Sequence, residues 1–141
     1  MADILFDISI QAAPEQVFES FCLPEHLDNW WTLKSSGTPE LGNIYNLNFT
    51  DQYNWYGQVS DVIPNERFYL KMTQSDPDWD PTTFGIQLEA KAEATLLKFS
   101  HSNWPSNNHH YRHSAFCWAQ LLNGLKNYIE KGEVISFENR S

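Results

Sequence analysis

At 141 residues the chain has the length of one domain and can bury about 70 % of its unfolded surface around a single core. Its net charge of −9, with nine Lys and Arg scattered singly, leaves no basic footprint for a phosphate backbone, so nucleic acid is excluded as a partner. No stretch approaches the roughly 20 apolar residues of a membrane-spanning helix, and the N-terminal run lacks the basic and apolar regions of a secretion signal, which implies a soluble, cytoplasmic protein.

Ile4, Phe6, Ile8 and Ile10 alternate with Leu5, Asp7, Ser9 and Gln11, the pattern of a half-buried strand. Pro14 with Glu15 opens a helix whose apolar face is Val17, Phe18 and Phe21, and Pro24 with Glu25 opens a second short helix through about Leu27, before Trp30 and Trp31. From there to Ser102 the period becomes two. Tyr45, Leu47 and Phe49; Trp55, Gly57 and Val59; Phe68, Leu70 and Met72; Phe84, Ile86 and Leu88; and Leu97, Phe99 and His101 each mark one face of a strand. Pro64 to Glu66 and Lys91 to Ala94 read as tight connections, and Ser75 to Pro81, with three aspartates and two prolines around Trp79, as a longer loop.

A long helix closes the chain, from about Asn108 to Lys131. Tyr111, Ala115, Trp118, Leu122, Leu125 and Ile129 recur at spacings of four and three, which places them on one stripe, widened by Leu121 and Tyr128. Gln120, Asn123, Asn127 and Glu130 occupy the opposite face, and Phe116 falls on that polar side as an exposed aromatic. Pro105 to Asn108 supply a breaker and caps at the start; Lys131 and Gly132 mark the stop. One strand, two short helices, about six further strands and a long helix form an α+β arrangement, in which a twisted antiparallel sheet buries its apolar face against the helix stripe.

Ala12-Ala-Pro-Glu-Gln-Val-Phe18, the run from Leu23 to Trp30-Trp31, Trp55-Tyr-Gly-Gln-Val59 with Ile63-Pro-Asn-Glu-Arg67, the strand Thr95 to His101 and the last helix with Trp118 resemble the START-like, or SRPBCC, superfamily. Within it the chain is most similar to the branch of activator of heat-shock-protein-90 ATPase homologues, over nearly its whole length. The resemblance implies a helix-grip fold, a curved sheet of six to seven antiparallel strands wrapped around the C-terminal helix, with a hydrophobic cavity between them. Members of the superfamily bind lipids, sterols, polyketides and plant hormones, and a few are cyclases or aromatases. Larger members of the branch act on a chaperone through an additional domain that this lone domain has no length for, so a chaperone is only weakly supported as a partner.

The candidate cavity lining is Trp30, Trp31, Tyr45, Phe49, Trp55, Phe68, Leu70, Phe84, Ile86, His101, Trp118, Leu122 and Leu125. The same side chains would equally fill an ordinary sheet-on-helix core; it is the resemblance that tips the reading toward a cavity. Trp118 would be its plug or its floor. His101, inward by parity, is either a ligand partner or general base, or a structural histidine bonded to a backbone carbonyl near Trp104, the reading we favour. Asp61 shares parity with Trp55 and Val59, and we favour its emerging at the rim.

His109 and His113, four residues apart, and His110 and His113, three apart, could join His101 near one cavity mouth. With no third protein ligand evident, no metal and no cofactor is assigned. Cys22 and Cys117 form neither a disulfide framework nor a zinc spacing and read as reduced, buried residues. Glu89 and Asp61 form no recognisable acid/base pair, and neither a nucleophile elbow nor a phosphate loop is present. The expected function is therefore binding of a small hydrophobic molecule, lipid-like or aromatic, with an enzyme of the cyclase or aromatase type or a chaperone-interacting module as alternatives.

Overall fold

A computed structural model describes residues 2–140. The alternating N-terminal run forms β1 (Ala2–Ile10), followed by α1 (Pro14–Cys22) and α2 (Pro24–Trp30). Both helices have proline in the first turn, where a missing N–H costs no intrahelical bond. Then come β2 (Lys34–Ser36), β3 (Ile44–Asn48), β4 (Asn54–Ile63), β5 (Arg67–Gln74), β6 (Thr83–Ala90), β7 (Thr95–Trp104) and α3 (His109–Lys131). The second helix runs three residues past the expected Leu27, β3 stops one short of Phe49, and the three-residue β2 has too few residues for a period to show. A single 3₁₀ turn, Phe137–Asn139, ends the described chain.

All seven strands join one antiparallel sheet in the order β1-β7-β6-β5-β4-β3-β2. This is the helix-grip architecture, with the inward positions Tyr45, Leu47, Val59, Phe68, Leu70, Met72, Phe84, Ile86, Leu97 and Phe99 all buried. On α3, Trp118, Leu121, Leu122 and Leu125 are buried, with Tyr111, Ala115, Tyr128 and Ile129 packed at the edges of the core. Phe116 lies outside, 62 % exposed. No helix among the described residues is long and apolar enough to cross a membrane.

Bonds at both ends fix α3 along β1. Tyr111 donates its hydroxyl to the Asp3 carbonyl at 2.7 Å, while Lys126 donates to the Ser9 carbonyl and Glu130 accepts from the Gln11 N–H at 2.8 Å. Fifteen helical residues from Tyr111 to Lys126 rise about 22 Å, and six strand residues from Asp3 to Ser9 about 20 Å, so the two elements match in length. Asn108 caps the helix by accepting from the Tyr111 N–H, and Gly132, at φ 70°, ends it in the left-handed conformation that glycine adopts freely.

Two departures from strict alternation matter. A bulge at Ser60 shifts the register of β4 so that Val59 opposes the inward Leu70 while Asp61 opposes the outward Tyr69. Asp61 therefore leaves the face it shares by count with Trp55 and pairs outside with Arg67 at 2.7 Å. The other departure is Gly85, buried in mid-strand with the Tyr69 ring lying over it: a Cβ there would sit 2.1 Å from the Phe68 carbonyl oxygen and 2.6 Å from the Tyr69 ring. Gly85→Ala should lower stability by about 3 kcal/mol in urea unfolding, since the Phe68 carbonyl belongs to the paired strand and can retreat only by disturbing the β5–β6 ladder. A loss under 1 kcal/mol would mean that β5 and β6 are less tightly apposed.

Candidate functional site

Most of the space between sheet and helix is filled. The Trp118 ring lies 4.5 Å from Phe99, 4.9 Å from Trp31 and 5.5 Å from Phe84, centroid to centroid. Beneath it Phe21 and Phe68 pack edge-on at 6.3 Å, and Tyr45 meets Phe68 at 5.5 Å while donating its hydroxyl to the Cys22 carbonyl at 2.6 Å. Burial holds that phenol protonated and pushes the Cys22 thiol up to about 12, so both are inert packing groups. Of the candidate lining, Tyr45, Phe68, Leu70, Phe84, Ile86, Leu122 and Leu125 sit in this solid region. Trp30 is held aside by its indole bond to the Ser20 carbonyl at 2.9 Å and borders a different hollow beside the C-terminal segment.

His101 also lies in the filled region, and its bonds define its tautomer. The Trp118 indole N–H can only donate, and it points at His101 Nδ1 at 3.0 Å. The imidazole proton is therefore on Nε2 and goes to Thr82 Oγ1 at 2.8 Å, whose own hydrogen goes to the Trp79 carbonyl at 2.6 Å. A backbone carbonyl near Trp104 is thus not its partner; the bond partners are two side chains from the loop and the helix. Burial, aided by the nearby His110, lowers its pKa to about 3.

The open volume, about 430 Å³, lies where the first turns of α3 diverge from the sheet. Four candidate residues reach it, Trp31, Phe49, Trp55 and Trp118; Tyr53 and Trp79 complete its ring-lined wall. Trp79 comes from the long loop, which winds tightly because Asp76 accepts from the Trp79 and Asp80 N–H groups and Asp80 accepts from Ser75. That winding drops the indole between Trp55 at 4.8 Å, His101 at 4.5 Å and Trp118 at 6.2 Å. Its Nε1–H is buried with no hydrogen-bond partner among the described residues. A lone tryptophan in an otherwise polar loop was the only sequence signal of this role.

The rim is polar. Asp76, His110, His113, Ser114 and Cys117 border the cleft, with Leu121 behind them. His110 Nδ1 stands 3.1 Å from Asp78 and 3.5 Å from Asp76, and one ligand atom from each of these three residues falls within 4.8 Å of the others, an arrangement with the donor types for a divalent ion. The histidines thus separate: His110 faces carboxylates, exposed His109 stacks on His113 at 6.0 Å, and His101 stays below. Cys117, expected to be buried, is half-buried at the rim because it lies one residue off the helix stripe, 3.4 Å from His113 Nε2. Burial raises its thiol pKa, which favours the neutral thiol over a thiolate nucleophile.

Residues 11–130 match the family model described as activator of Hsp90 ATPase homolog 1-like protein. The chain belongs to this family. It thereby joins the START-like, or SRPBCC, superfamily. The Aha1 dimer of Colwellia psychrerythraea is similar to it in structure, with a TM-score of 0.86 at 29 % identity over 94 % of this chain and 99 % of that one. DynU16, from the dynemicin biosynthetic locus, has the same fold at 22 % identity, with a TM-score of 0.78 over 94 % of this chain and 48 % of its own. CalU16 of Micromonospora echinospora gives 0.74 at 17 % identity over 92 % and 77 %. No curated protein matches significantly.

Because His101 takes up a proton readily when unfolded, near pH 6.5, but only near pH 3 when folded, the unfolded chain binds the extra proton between those values. Its contribution to stability is present above pH 6.5 and is lost as pH falls toward 3, by roughly 1.4 kcal/mol per pH unit. Urea unfolding across this window should show that slope, and His101→Asn should flatten it by one proton's worth while costing about 2 kcal/mol at neutral pH. An unchanged slope would mean that His101 accepts a proton in the folded state.

Proposed function

We propose that the protein binds a small, largely apolar, ring-bearing molecule in the cleft between Trp31, Trp55, Trp79 and Trp118. One observation carries this reading: a ring-walled opening of about 430 Å³ persists in a core that is otherwise tightly filled. Large flat side chains around an opening present apolar area to any guest, at roughly 25 cal/mol per Å². Burying about 300 Å² of guest would supply about 7 kcal/mol before the cost of immobilisation, enough for weak to moderate affinity. Ligand-binding members of the superfamily use the same helix-and-sheet arrangement.

Ser114 sits on the helix side of the opening, 6 % exposed, and is the position at which the cleft can be filled from within. N-phenyl-1-naphthylamine, a neutral fluorescent ring compound, should bind the protein with enhanced emission, and Ser114→Phe should weaken that binding at least about tenfold, a change of about 1.4 kcal/mol. Thermal melting of the variant checks that the fold survives. Undiminished binding to a folded Ser114→Phe protein would locate the probe elsewhere and sink the cleft as the site. Solvent extraction of freshly purified protein, followed by mass spectrometry, would then identify what the cleft carries.

A further inference from the structure

We infer that the cleft is selective for organic cations: molecules with an apolar body and an ammonium or substituted ammonium group at the end that faces the rim. If the cleft is the binding site, as proposed above, the charge of its guest follows from the groups around it. Six aromatic rings form the wall, from Trp31, Phe49, Tyr53, Trp55, Trp79 and Trp118. Their faces carry the negative side of the ring quadrupole, which attracts a cation placed over them and repels an anion.

The charged side chain at the rim has the same sign preference. Among the described residues lining the cleft there is one carboxylate, Asp76, and no lysine or arginine. Asp76 Oδ1 accepts from the Asp78 N–H at 3.3 Å and lies 3.5 Å from His110 Nδ1, and Asp78 adds a second carboxylate 3.1 Å from the same nitrogen. The rim thus gathers two carboxylates around one imidazole, with His113 and Cys117 as the other ionisable groups bordering the cleft. A neutral guest would shield the part-buried Asp76 from water and leave it only the Asp78 N–H and His110, and an anion would be repelled by both rim and rings. An ammonium group satisfies the carboxylate and the ring faces together. The whole-chain charge of −9 adds a field that draws cations toward the opening.

Three ligands with one ten-carbon chain and different heads separate the possibilities: decyltrimethylammonium, 1-decanol and decanoate, titrated below their aggregation limits against intrinsic tryptophan fluorescence. The cation should bind about tenfold more tightly than the alcohol, and decanoate most weakly. Asp76→Asn, which keeps the oxygen that accepts from the Asp78 N–H, should bring the cation's affinity down to that of the alcohol. Should that variant unfold, the wild-type protein still decides: raising salt from 0.02 to 0.5 M should weaken the ammonium ligand and leave the alcohol unaffected, because only a charge–charge attraction is screened. Equal affinity for cation and alcohol, or a preference insensitive to salt, would overturn the selectivity while leaving the cleft as a binding site. Failure of all three to bind while N-phenyl-1-naphthylamine still binds would overturn the selectivity alone, and failure of all four would overturn both.

Discussion

The hydrogen bond from Trp118 to His101 is the constraint around which the interior is arranged. It joins the middle of α3 to the inward end of β7, and through Thr82 it continues to the carbonyl of Trp79, so helix, sheet and long loop share one chain of donors and acceptors. Each bond has a fixed direction because an indole can only donate. A proton on His101 Nδ1 would set two donors against each other, and burial opposes that charge as well. The neutral histidine thus anchors a loop that its own bonds through Asp76 and Asp80 have wound.

That arrangement also explains why the cleft exists. Trp118 is too large to leave space beside Phe84 and Phe99, so the middle of the sheet–helix interface is solid. The ring-walled space opens toward the start of α3, where the helix side presents Ser114 and Cys117 instead of the large side chains found further along. Trp79, fixed from below by its carbonyl and from the sides by ring contacts, forms the far wall. Its buried indole N–H has no hydrogen-bond partner among the described residues, a cost of this packing.

The rim differs in kind from the wall. Asp76 and His110 come from segments more than thirty residues apart, and what brings them together is the entry of the Trp79 ring into the core, which seats the loop against the helix start. Recognition of apolar area is thus assigned to the rings and discrimination by charge to the rim. In this division the wall can keep its shape while the rim determines what is accepted.

Alternation and helical spacing in the sequence determined β1, β3 to β7 and α3, together with the face each presents, because burial on one side imposes a period of two or of four and three on any amphipathic element. They also determined that Phe116 would be outside. They could not separate cavity wall from core, since Phe68 and Trp55 obey the same period and differ only in whether the ring meets the filled interior or the open cleft. Trp79 lay outside every periodic run, and Asp61 obeyed the wrong one, because a one-residue bulge inverts all later parity and leaves no mark in composition. The tertiary structure alone decided which rings meet, which histidine is neutral and which carboxylates face the opening. Those outcomes depend on contacts between residues distant in sequence, whereas period is a property of neighbours.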